Sequence, residues 1–247
     1  MSRNFELMTK LEIEAAASEK RAASSVDSAV GMPITPILSS QASDAGGEEI
    51  LRLIQRIFLS ATGNAPRQVV LCGVDDDNGS SSIVARVGRT LAANSSRPVC
   101  LIDANVRSPR LSNMFGIGGA NSFSGPFAHV NEQCVKVGGN LWLAGPRILA
   151  DDSRVLLPPV QLKERLTALR DEFEYMLIDA PGTSVSGDAQ LLGMFADAAI
   201  LVIEANSTRR LAARKAKESL EAAGVRLLGT VMYNRSLPIP EGLYNRL

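Results

Sequence analysis

Six short runs of this chain are apolar at nearly every position: residues 68–73, 98–103, 141–144, 175–179, 198–204 and 226–232. A strand with one wet face alternates apolar and polar side chains, whereas a strand covered on both faces does not. Helical spacing fills the intervals. A helix opens at Asn78-Gly79-Ser80-Ser81-Ser82 and runs to about Asn94; others are predicted over 159–172, between the strands at 179 and 198, and over 208–223. An earlier helix places Ile50, Leu53, Ile54 and Phe58 on one face, with Gly63-Asn64-Ala65-Pro66 as its stop. Strands of this type alternating with helices predict a three-layer α/β domain with a mostly parallel sheet of about seven strands.

Residues 1–46 are of another kind. Phe5, Met8, Leu11 and Ala15 recur at helical spacing within a charged stretch, and 24–47 is rich in Ser, Ala, Gly and Pro. The expectation is an N-terminal helix on a flexible linker over 1–46, followed by the folded domain over 47–247. The longest apolar runs, such as 198–203, fall far short of the ~20 residues that a membrane-spanning helix requires. Three cysteines and one histidine, His129, argue against a disulfide scaffold and against His-based zinc chemistry. Lys plus Arg equals Asp plus Glu at 26 each, and aromatics make up 4% of the chain, so nothing points to nucleic acid as a partner. A cytoplasmic protein is expected.

The chemistry-bearing residues sit at strand ends. Asp103 ends the second strand in Leu101-Ile102-Asp103-Ala104-Asn105-Val106-Arg107-Ser108-Pro109, and Asp179 ends the fourth in Leu177-Ile178-Asp179-Ala180-Pro181-Gly182. In open α/β sheets this edge is where ligands bind. The first strand runs into Gly73-Val74-Asp75-Asp76-Asp77-Asn78-Gly79-Ser80-Ser81-Ser82, the place of a phosphate-binding loop. Such a loop holds phosphates with backbone N–H groups, a helix N-terminus and a Lys. Here the two glycines are one residue further apart than the standard pattern, and Ser80 stands where the Lys would stand.

Taken together and in order, these segments resemble the cytoplasmic tyrosine-kinase domain of bacterial capsular and exopolysaccharide systems, within the wider class of partition-type P-loop ATPases. The resemblance covers roughly residues 48–247 and includes Asn140-Leu141-Trp142-Leu143-Ala144-Gly145, Ser186-Gly187-Asp188-Ala189 and the ending Leu237 to Tyr244. It implies a P-loop NTPase-like fold, with nucleotide-binding residues at Gly79, Ser80, Ser81 and Ser82. It also implies Ser81, Asp103 and Asp179 as magnesium-associated groups and Asp103, Arg107 and Asp179 as the relict catalytic set. A membrane polysaccharide co-polymerase that determines chain length is the implied partner, met at the inner face of the plasma membrane. The family's oligomer-forming motif is matched by Glu49 and Arg52, with Arg56 one place late.

The departures from the pattern shape the functional expectation. Without the Lys, the charge that stabilises a transferring phosphoryl group is missing. Asp75, Asp76 and Asp77 would face the triphosphate, at a cost of up to ~3 kcal/mol per like-charge pair at ~5 Å and an effective dielectric near 20. Asn105 replaces the second carboxylate of the family's D-x-D-x-R. The tyrosine-rich tail is reduced to Tyr233 and Tyr244. The reading is a kinase-like regulator of exopolysaccharide biosynthesis, polymerisation and export, catalytically impaired. No cofactor is expected, or ATP and magnesium if the site still binds. An active ATP-dependent tyrosine kinase and a partition or septum-positioning ATPase stand as alternatives. Simpler readings also hold at this point: the Asp run as a solvated turn, the serines as helix N-caps, Asp103 and Asp179 as polar strand ends, Arg107 and Arg110 as surface charges, and Trp142 as core.

Overall fold

The computed structural model describes residues 35–36, 44–58, 65–76, 79–117, 133–150 and 155–234. All of them lie in one compact unit, Pro33–Leu247. The expected N-terminal helix, Asp77, Asn78, His129 and the tail beyond Asn234 fall outside the described residues.

In chain order the elements are β1 (Thr35–Pro36), α1 (Asp44–Phe58), β2 (Gln68–Gly73), α2 (Ser80–Ala93), β3 (Val99–Asp103) and α3 (Arg110–Met114). The antiparallel pair β4 (Cys134–Gly138) and β5 (Leu141–Ala144) follows, then α4 (Pro159–Glu172) and β6 (Tyr175–Ala180). The chain continues through α5 (Asp188–Phe195), β7 (Ala198–Glu204), α6 (Arg210–Ala222) and β8 (Leu227–Tyr233). They form one sheet in the order β1-β8-β7-β2-β6-β3-β5-β4, parallel throughout except at β4–β5. Seven strands carry the sheet, and the two-residue β1 borders β8.

Alternation along the strands sorts the core into two layers. Val70, Cys72, Cys100, Ile102, Met176, Ile178, Ala199 and Leu201 face one side, where Leu162, Leu166, Leu169, Leu192 and Leu220 from α4, α5 and α6 cover them. Val69, Leu71, Val99, Leu101, Leu177, Ile200 and Val202 face the other, under Ile50, Ile54 and Phe58 of α1 and Ile83, Val87 and Leu91 of α2. With each buried Leu, Ile or Val contributing about 1.5–3 kcal/mol, the double cover explains why the strand sequences lack polar positions.

Three elements were not anticipated. Strand β4 is a half-exposed edge, pairing Lys136 with Trp142 across a two-residue turn at Gly139-Asn140. Helix α3 spans five residues and is anchored by the Ser112 N–H, which donates to Asp103 Oδ2 at 2.8 Å. Strand β1 lies inside the stretch taken from sequence as linker, as does the first turn of α1, which begins at Asp44. The edge of β8 supplies the backbone partners of β1, at Val231 and Met232.

Candidate functional site

Parallel pairing in register brings the predicted strand-end residues together. Leu71 of β2 lies opposite Asp179 of β6, and Asp179 lies opposite Asp103 of β3. Both carboxylates are fully buried. Each is placed where its strand runs out of apolar residues and the chain turns over the C-terminal edge of the sheet.

Their hydrogen bonding differs. Asp103 is saturated by backbone: Oδ2 accepts from Ser112 N–H at 2.8 Å and Oδ1 from Asn105 N–H at 3.3 Å. Burial raises its pKa, while those N–H groups work in the opposite direction. Asp179 Oδ1 accepts from the Ser80 hydroxyl at 3.2 Å. Its Oδ2 is buried with no hydrogen-bond partner among the described residues. Burial pushes the Asp179 pKa up to about 7, the neighbouring Asp103 adds to this, and the Ser81 and Ser80 hydroxyls and the Arg110 guanidinium pull it back. An orphan carboxylate oxygen in the interior is costly unless a ligand or a proton satisfies it.

Helix α2 starts beside this oxygen. Its N-cap is Gly79, at φ 72°, and no side chain caps the helix. The serines therefore do not act as caps here: Ser80 turns its hydroxyl to Asp179 instead. The φ of Gly79 favours glycine, and a Cβ there would also lie 2.5 Å from the ring of Tyr233, at the end of β8. Tyr233 is thus half-buried against the loop and packs with the α1–α2 side of the core, so it is not part of a free tail.

In the described part of the acidic loop Asp75 is exposed and Asp76 partly buried, and both carboxylates reach the turn after β6. Asp76 Oδ1 accepts from the Gly182 N–H at 3.1 Å, and Asp75 Oδ1 accepts from the Ser184 hydroxyl at 2.8 Å. Backbone adds Thr183 N–H to Gly73 O at 3.0 Å and Ser184 N–H to Val74 O at 2.9 Å. The fit is close enough that a Cβ on Gly182 would meet the backbone carbon of Asp75 at 2.5 Å. The loop after β2 and the turn after β6 are stitched into one unit, which the sequence did not announce.

The structure thus gathers Gly79, Ser80, Ser81, Asp103 and Asp179 at one edge, with Ser82 on the first turn of the helix. Arg107 is exposed on the turn that follows Asp103. Glu49, Arg52 and Arg56 lie on α1, where Arg52 pairs with Glu48 at 3.3 Å rather than with Glu49. Among the described residues no three His, Cys, Asp or Glu side chains cluster to hold a metal. Magnesium, however, is commonly held by one or two carboxylates together with nucleotide phosphates. Asp179, with an oxygen to spare, and Ser81 fit that role; Asp103 already accepts one backbone N–H on each oxygen.

No protein-family model matches the chain. Curated proteins do. Tyrosine-protein kinase YwqD of Bacillus subtilis (strain 168) is 24% identical over 207 residues, covering 81% of this chain and 86% of that protein. Tyrosine-protein kinase CpsD of Streptococcus agalactiae is 24% identical over 182 residues, covering 72% of this chain and 79% of its own. The solved kinase domain of the Escherichia coli tyrosine kinase ETK superposes with a TM-score of 0.62 at 18% identity, over 86% of this chain and 88% of that one. That superposition shares the fold; the sequence matches carry the relationship to bacterial tyrosine-protein kinases.

Proposed function

We propose, for a chain whose curated relatives are bacterial tyrosine-protein kinases, a kinase-like regulator of exopolysaccharide biosynthesis that keeps the fold and has lost efficient phosphoryl transfer. The observation that carries this reading is Ser80. At the position of the phosphate-binding Lys it offers a short hydroxyl, bonded to Asp179, in place of a cation that reaches the transferring group. Gly79, Ser80, Ser81 and Ser82 would line the phosphates, with Ser81 and Asp179 toward magnesium and Asp103 and Arg107 as remnants of the second motif. The partner on this reading is a membrane polysaccharide co-polymerase, met at the inner face of the plasma membrane. Self-association through Glu49, Arg52 and Arg56 accompanies it. Among the described residues no helix is long and apolar enough to cross a membrane.

Incubation with labelled ATP and magnesium tests the reading. The wild-type chain is expected to stay unlabelled, and Ser80→Lys to gain nucleotide affinity. Label on the wild-type chain that disappears in Asp179→Ala would establish an active tyrosine kinase instead.

A further inference from the structure

We infer that Asp75 and Asp76 make this site selective for a nucleoside diphosphate over a triphosphate, because their carboxylates already occupy the donors that a third phosphate would use. The inference rests on the phosphate-site reading above and deepens it.

Two observations mark the site. The N-terminus of α2 has no side-chain cap at Gly79, and a helix N-terminus of this kind attracts phosphate oxygens. Beside it, Asp179 Oδ2 is buried and unpartnered among the described residues, aligned with a helix turn that presents Ser80 and Ser81. A diphosphate with its magnesium would satisfy both. It would meet the first turn of α2 through its oxygens and Asp179 through the metal.

The next phosphate along would have to meet the turn after β6, since loops at that strand end are what a terminal phosphate and its metal ordinarily hold in place. Here the turn is held from within. The Gly182 N–H is spent on Asp76 Oδ1 at 3.1 Å, and the Ser184 hydroxyl on Asp75 Oδ1 at 2.8 Å. Two backbone bonds, from Thr183 N–H to Gly73 O and from Ser184 N–H to Val74 O, lock the same two segments together. The two backbones pack so closely that any side chain at position 182 would collide with Asp75. A third phosphate would break this latch and bring its own negative charge against two carboxylates, with no Lys at position 80 to offset them. A diphosphate leaves the latch intact.

The test is calorimetric titration of the full chain, with magnesium, using ADP and a non-hydrolysable ATP analogue in parallel. The wild type is expected to bind ADP at least ~tenfold more tightly than the triphosphate. In Asp75→Ala/Asp76→Ala, whose side chains carry neither the acceptor oxygen nor the charge, the gap should close to about threefold or less. The single change Asp76→Ala serves as the second variant if the pair does not fold, and should narrow the gap in the same direction. Equal affinity for the two nucleotides in the wild type, binding of neither, or an unchanged gap in a folded variant would overturn the inference. Failure of the kinase-impaired reading is separate: it shows as label transferred from ATP, whatever the two affinities are.

Discussion

Asp179 concentrates the chemistry of this site in one side chain. Its pKa is raised in the folded protein, chiefly by burial, to about 7. A carboxyl raised in this way favours the folded state while it is protonated, and that advantage is lost as pH climbs from the ordinary carboxylate value toward 7. Asp179→Asn keeps the shape and cannot ionise. Its stability relative to wild type should therefore rise between about pH 4.5 and pH 7 and level off above, by up to ~4 kcal/mol if the whole shift is realised. Urea midpoints of both proteins across that range check this; a constant difference would mean that Asp179 does not titrate there. The position of Asp179 was legible, because an Asp ending an apolar strand has few places to go but the sheet edge. Its partner Ser80 was legible as a missing Lys, yet not as a hydrogen-bond donor to a residue 99 positions away. The bonds of Asp75 and Asp76 were not legible at all. A run of acidic residues looks the same in sequence whether it faces water or accepts N–H groups from a turn 106 residues on.

At the scale of elements, burial on both faces decides what could be read. Strands β2, β5 and β7 match the expected runs, since nearly every position is apolar, with Gln68 and Glu204 only at strand ends. Strand β4 escaped because an edge strand buries one face alone, leaving Val135, Lys136 and Val137 partly wet. Asp197 offers a second example. It precedes β7, and its carboxylate accepts from the N–H groups of Arg67 and Gln68 and from Arg170 at 2.7 Å, closing the opposite edge of the sheet. Burial alone would raise its pKa, but these donors hold it below the ordinary value. Helix α1 buries Ile50, Leu53, Ile54, Ile57 and Phe58 and leaves Arg52 and Arg56 outward. The Arg52–Glu48 pair has side chains 70% and 73% exposed, so it adds little to stability. Arg52→Ala should change stability by no more than about 0.5 kcal/mol. If the face is used between subunits, the same change should lower the solution mass. Light scattering on both proteins decides, and a monomer in each case removes this helix from any assembly.

For the molecule as a whole, every level of the described structure agrees on one fold. The strands are unbroken, the two helical layers are packed, and the site edge is assembled with its loops tied. A chain released from all use would be expected to lose such consistency, because most substitutions destabilise and nothing would remove them. On the proposed function, Ser80 at the place of the phosphate-binding Lys within an intact fold fits a use that does not need phosphoryl transfer, and that use is partner binding. Helix α6 offers a surface for it. Arg209, Arg210 and Lys215 are exposed beside Leu211, which is 65% exposed, while Arg214 and Lys217 are paired with Glu218 and Glu221. A basic face of this kind steers an acidic segment of a co-polymerase toward contact, and more weakly as salt rises. Deleting the gene should lower polymer yield or shift chain length. A Ser80→Ala chain should restore both, since it removes a hydroxyl that transfers nothing, whereas charge reversal at Arg209 and Arg210 should restore neither. A folded Ser80→Ala chain that fails as completely as the deletion would mean that the nucleotide site itself is what the cell uses.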